Sequence, residues 1–274
     1  MKKILIATLI SITSVFAINV TNYINKNDCS KVVDKQVYTA CYDYNLKSTT
    51  FAYYKLDGKM VHHKNDTKKR PSFYAEKLIP SKYRVKPADF TYTGKDRGHL
   101  DSHENINYDK KLLAKTYSMV NIIPQYPKVN RNTWKKAEMS ARDLAVKYGY
   151  LNVLDVVLYE NKTDYLKRIP VEEAKESERK RAYSKKKASS RDKAVKKWKK
   201  KWVTNYSKTK KSYEKKAKKL LKKKIVVPSG YGKVLWNKEA NFKKCYYYKN
   251  EKNPKTKGDK VKHHIISCKK LLNK

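Results

Sequence analysis

The sequence predicts an α+β fold: a central antiparallel sheet with helices, in one domain that carries a lysine-rich insertion. Three observations lead there. Runs rich in aromatic and β-branched residues recur towards both ends of the chain and stop at turn residues, as antiparallel strands do. Between them one long segment changes to helical spacing. Finally, two apolar runs are separated by residues 171–224, a lysine-rich stretch without glycine or proline, so the chain leaves the sheet and returns to it.

Taken in order, the chain opens with "MKKILIATLISITSVFAINV": two lysines, an apolar run, then Val15-Phe16-Ala17. This is the pattern of a secretory signal peptide over residues 1–17, cut after Ala17, with residues 18–274 as the mature domain. An uncleaved anchor is the competing reading, but the apolar run is short for a membrane span. The mature protein is therefore expected in the periplasm or the medium. "QVYTACYDY" and "TTFAYYKL" read as two strands, with a turn at Asp57-Gly58. "YSMVNIIPQ" reads as a further short strand ended by Pro124. In "NRNTWKKAEMSARDLAVKYGY", Trp134, Ala137, Ala141, Leu144 and Tyr148 share one helical face, with Asn132 as cap and Gly149 as stop. "LNVLDVVLYE" and "KIVVPSGYGKVLW" read as buried central strands, and "NFKKCYYYKN" with "VKHHIISC" as a final pair.

The insertion allows two readings. Val195, Trp198 and Trp202, and then Tyr213, Ala217, Leu220 and Leu221, have the spacing of one or two amphipathic helices. A charge-solvated, partly disordered segment is the alternative. The four cysteines of an exported chain read as disulfides, Cys29–Cys41 and Cys245–Cys268, each bracketing one strand-and-turn unit. No pair has the close spacing usual at zinc.

With 67 Lys and Arg against 25 Asp and Glu, the formal net charge is +42. Such a chain attracts polyanions and repels copies of itself. Within this background, "KDRGHLDSH" concentrates unusual chemistry. Gly98 is read as a sharp backbone bend, Arg97 as a donor fork suited to phosphate, and Asp96 as a holder of a neighbouring group. His99 is the side chain that can be a neutral base near pH 7. His99 and His103 are four apart, but the polar "LDSHEN" run is not helical in character and lacks the glutamate of the zinc-protease motif. A base and an arginine together point to phosphodiester hydrolysis.

Downstream follow Asn121 in "VNIIPQ", then Asn130-Arg131, then Glu138 and Arg142 in "NTWKKAEMSAR". In this order the motifs resemble the DNA/RNA non-specific endonuclease family, the ββα-metal nucleases related to mitochondrial endonuclease G. The resemblance covers roughly residues 41–159 and resumes at "IVVPSGYGKVLW"; the insertion and the final cysteine unit depart from it. It implies a ββα-metal finger carrying the site and cleavage of DNA and RNA with little sequence preference. His99 would be the general base and Asn130 the one direct protein ligand to Mg²⁺, with Mn²⁺ as a substitute. That sparse ligation suits an ion that keeps most of its waters.

By the same resemblance Glu138 holds a metal-bound water, Arg142 offsets transition-state charge, and Asn121 supports the site. Arg97, Arg131 and, by a looser match, Arg70 would receive substrate phosphates. On position alone Glu138 and Arg142 also fit an ordinary exposed i, i+4 ion pair. The expected partners are the DNA and RNA backbones; no protein partner is implied. The insertion matches nothing in the family's active site and reads as an electrostatic tether for nucleic acid. Two rival functions are a non-catalytic polyanion binder and a membrane-surface protein using Trp198 and Trp202 at an anionic interface. Neither explains His99, Asn130 and Glu138 together.

Overall fold

The computed structural model describes residues 19–24, 27–63, 70–184, 188–220 and 223–273. The signal-peptide pattern of residues 1–17 lies outside them. In chain order the elements are β1 (Lys31–Asp34), β2 (Thr39–Asp43), β3 (Ser48–Asp57), β4 (Asp96–His99), α1 (Lys110–Lys115), β5 (Ile122–Gln125), α2 (Trp134–Tyr148) and β6 (Tyr150–Leu158). The insertion holds α3 (Val171–Tyr183), α4 (Ala188–Lys199) and α5 (Tyr206–Leu220), after which come β7 (Gly230–Asn237), β8 (Phe242–Lys249) and α6 (Cys268–Leu272). A six-stranded antiparallel sheet runs β1-β2-β3-β6-β7-β8, and β4 pairs with β5 in a separate two-stranded sheet.

Alternation along the central strands fills both faces of the large sheet. On β6, Leu151, Val153 and Val157 join one core with Trp134, Ala137, Ala141 and Ala145 of α2 and with Leu100 and Ile123 beside β4 and β5. The small alanines let α2 lie close to the sheet. On the other face Leu154, Val156 and Leu158 meet Val234, Trp236 and Leu271 around the bonded pairs Cys29–Cys41 and Cys245–Cys268. The expected disulfide pairing is thus the one found, and each link ties a chain end to the sheet.

Local expectations hold in part. The turn expected at Asp57-Gly58 is present: it ends β3 and carries the chain out of the sheet, where the Gly58 N–H donates to the Gly149 carbonyl, while the β2–β3 hairpin turns at residues 44–47. Gly149 ends α2 with φ at 79°, as its stop signal requires. "VKHHIISC" is not a strand: it forms a 3₁₀ turn and touches β8 by a single Tyr246–Ile265 bridge before α6 begins. His264 adds to this contact by stacking on Tyr248, and it also bonds Asp259.

The described residues of the insertion form three helices around a small core of Ala174, Trp202 and Tyr213. Trp202 is fully buried, its Nε1 donating to Glu178, and Trp198 Nε1 donates to the Lys175 carbonyl. The two tryptophans therefore bind the insertion's own helices together, and the membrane-surface reading loses its anchors. Among the described residues no helix is long and apolar enough to cross a membrane.

Candidate active site

β4, β5 and α2 make a ββα unit packed on one face of the large sheet. On β4, period-two alternation sends Asp96 and Gly98 inward and leaves Arg97 and His99 on the more open face. Gly98 lies inside this strand, which corrects its reading as a bend. Its role is space: the buried Gln125 side chain crosses it, and a Cβ there would sit 2.2 Å from Gln125 Cδ and Oε1.

Asp96 organises the entry to α2. A π-helical turn, Val129–Thr133, precedes that helix and turns two consecutive side chains towards one carboxylate. Arg131 binds it with both ends of its fork, each at 2.7 Å, and Asn130 Nδ2 donates to it at 3.0 Å. These bonds and charges outweigh burial and hold the Asp96 carboxyl below its ordinary pKa. Because the nitrogen of the Asn130 amide is committed to Asp96, its Oδ1 is turned away as a hard oxygen donor. Asn132, expected as helix cap, donates instead to the Lys128 carbonyl.

His99 sits among Phe73, Tyr117 and His103, with its buried Nε2 lacking a hydrogen-bond partner. Burial first, then the neighbouring His103 and Arg70, push its pKa down to about 3. The ring is therefore neutral, and its burial resists protonation. His103 turns Nδ1 to the Tyr117 hydroxyl at 2.9 Å, so the two histidines share an aromatic wall. Among the described residues no group of three or more His, Cys, Asp and Glu could hold a metal. A single amide oxygen such as Asn130 Oδ1 suits an ion that retains water rather than zinc.

Asn121 is fully buried and clamps the turn after His99. It accepts from the Asp101 N–H at 2.9 Å and donates to the Asp101 and Thr116 carbonyls at 2.8 and 2.9 Å. Glu138 and Arg142 share one face of α2 but are not the exposed ion pair their spacing allows. Arg142 is buried and donates to Ser102 and Asn105 at 3.3 and 3.1 Å. Burial raises the Glu138 carboxyl to about 7, against the opposing pull of Lys233 and Arg142. Arg97 donates to the Pro87 carbonyl and lies over the Phe73 ring, while Arg70 is an exposed rim residue 3.6 Å from Glu104. The structure thus gathers His99, Arg97, Asn121, Asn130, Arg131, Glu138 and Arg142 about one ββα unit, with Arg70 at its edge.

Beneath them is a feature the motifs did not reveal. Lys233 and Asp155, register partners on β7 and β6, form a fully buried ion pair at 2.5 Å, and Tyr54 bonds both. Their only sequence signal is a charge in each of two apolar strands, "LDVV" and "GKVL". Arg181, from the insertion, also went unseen: it reaches Asp96 at 3.2 Å, which corrects the expectation that the insertion stands apart from the site.

A family model for DNA/RNA non-specific endonucleases matches residues 18–266. Human mitochondrial endonuclease G is 24% identical over 135 residues, 49% of this chain and 45% of that protein. The mitochondrial nuclease of Saccharomyces cerevisiae is 24% identical over 132 residues, 48% of this chain and 40% of its own length. The match thus spans less than half of each relative. A chain from the crystal structure of the EndoG/EndoGI complex has the same fold, with a TM-score of 0.61 and 17% identity over 88% of this chain and 82% of that one.

Proposed function

Because the chain belongs to the DNA/RNA non-specific endonuclease family, we propose that it is an exported hydrolase that cleaves phosphodiester bonds within DNA and RNA. The observation that carries this reading is that one ββα unit holds a buried His99 Nε2 without a hydrogen-bond partner and an Asn130 amide fixed by Asp96. One supplies a base, the other an oriented oxygen. In the proposed reaction His99 takes a proton from water as its oxygen attacks phosphorus, and the bond to the 3′ oxygen breaks. A base with a pKa of about 3 is weak, but the phosphate it meets is negative. Bound substrate therefore raises the proton affinity of His99 where it is needed.

Asn130 Oδ1 would hold Mg²⁺ or Mn²⁺, with Glu138 on a water of its shell, and the ion supplies Lewis-acid stabilisation of charge on the phosphate and leaving oxygen. Arg97, Arg131 and Arg142 add fixed positive charge, while Asn121 keeps the turn after His99 in place. All these contacts address the backbone, which carries no sequence information. Cleavage should accordingly be broad. The N-terminal pattern and the two disulfides support export of one domain over residues 18–274. The test is incubation of purified protein with plasmid DNA and with structured RNA. Both should be cut internally, chelator should stop it, and added Mg²⁺ or Mn²⁺ should restore it. Intact substrates under all of these conditions would remove the proposal.

A further inference from the structure

We propose that Arg181, delivered by the lysine-rich insertion, is a phosphate-binding residue of the same site, taking a backbone phosphate next to the one that is cut. This rests on the nuclease reading above.

Helix α3 is fixed in place before it reaches the site. Ala174 and Ala182 are buried, Lys201 and Trp202 both bond Glu178, and the Tyr213 hydroxyl donates to the Ile169 carbonyl. The C-terminal turn of α3 then brings Arg181 to Asp96, 3.2 Å from Oδ1. That carboxylate already carries both arms of Arg131 and the amide of Asn130. Arg181 therefore adds a second guanidinium to an anion that one guanidinium satisfies. With Arg97 next in sequence, the cluster has more positive charge than its acid balances. Mutual proximity shows in Arg97, whose pKa is lowered first by burial and then by Arg181.

Arg181 uses one N–H on Asp96, and its side chain is 61% exposed, so most of its fork faces solvent beside Asn130. An arginine fork is matched to phosphate oxygens. The other acids of α3 are committed elsewhere: Glu172 to Lys175, Glu176 to Arg179 and Lys180, Glu173 to Lys252 and Glu178 to Lys201. The competing role is structural, a strap from α3 to β4, helped by the favourable placement of a cation at a helix C-terminus.

Salt dependence separates the two. In a His99→Ala background, binding of a labelled DNA duplex is followed by fluorescence anisotropy across ionic strength. Each phosphate contact contributes about −0.9 to the slope of log K against log salt. Arg181→Ala should weaken binding several-fold at low salt and flatten the slope by about one contact. Arg181→Lys should keep the slope and recover part of the affinity, whereas Arg179→Ala, whose charge is neutralised by Glu176, should leave both unchanged. An unaltered slope for Arg181→Ala, with or without a lower unfolding temperature, makes Arg181 a strap and overturns the proposal. An equal change in Arg179→Ala also overturns it, in favour of unspecific charge. If His99-intact protein cuts neither DNA nor RNA, it is the nuclease reading that has failed; if it cuts both and Arg181→Ala binds as its parent does, only the role of Arg181 is lost.

Discussion

Gly98→Ala tests whether the active strand is shaped by packing rather than by a turn. The added Cβ would lie 2.2 Å from Gln125 Cδ and Oε1 and 2.5 Å from its Cγ. Ordinary contact begins near 3.4 Å, so the Gln125 side chain must move by more than an ångström. It has little room to do so, because Gln125 is fully buried and its partner in the ladder is Asp96. Overpacking of this kind costs about 1–3 kcal/mol. For a chain of this size that lowers the unfolding midpoint by roughly 2–4 °C per kcal/mol. Activity should fall further than stability, since β4 carries both Arg97 and His99. Gln125→Ala should restore much of both in the double variant, because the Gln125 amide makes no hydrogen bond that the change would break. The assay is a double-mutant cycle of denaturant unfolding with nuclease rate as a second readout. Additive effects, or a Gly98→Ala protein of wild-type stability, would refute the packing explanation.

Two further outcomes concern the scaffold. Burial, aided by Asp155 and Glu138, raises the fully buried Asp101 carboxyl to about 8, despite the Asn105 bond and Lys233. The folded state then binds more protons than the unfolded state between the ordinary carboxylate range and pH 8, so stability falls as pH rises through that window. Asp101→Asn should raise the unfolding free energy at pH 8–9 by an amount on the order of a few kcal/mol and do little near pH 4; an equal change at both would count against it. Cys268→Ser removes the link that ties α6 to β8 and should cost about 2–5 kcal/mol in denaturant unfolding. Unchanged stability would mean that Leu271 packing alone holds α6.

Much of this molecule was legible because local chemistry and position coincide. The alternating strands around Cys41 and Ala52 announce themselves through periodicity, the strand around Leu154 through its apolar run, and Trp134, Ala137 and Ala141 announce α2. The order of His99, Asn121, Asn130 and Glu138 carried the resemblance that gathers them. What was missed depends on tertiary contact. Nothing near Gly98 says that Gln125, distant in sequence, will cross it; a turn is the cheaper local guess. Asn132 looks like a cap until the π-helical turn gives Asn130 and Arg131 to Asp96. Ile265 and Ile266 look like a strand, yet one bridge and a buried Leu271 decide otherwise. In the insertion, the spacing of Trp198 and Trp202 allows amphipathic helices or a charge-solvated segment, and only Glu178 and Ala174 across from them show what the helices pack on. Arg181 among so many cations carries no local signal at all.

The most direct measurement is nicking of supercoiled plasmid by wild-type protein and by His99→Ala, at matched concentration in Mg²⁺, with folding checked by circular dichroism. Loss of general-base catalysis typically costs about a hundredfold to ten-thousandfold. The nuclease assignment predicts a loss in that range in a folded variant that still binds DNA. Wild-type nicking by folded His99→Ala protein would contradict it and place the chemistry elsewhere on the chain.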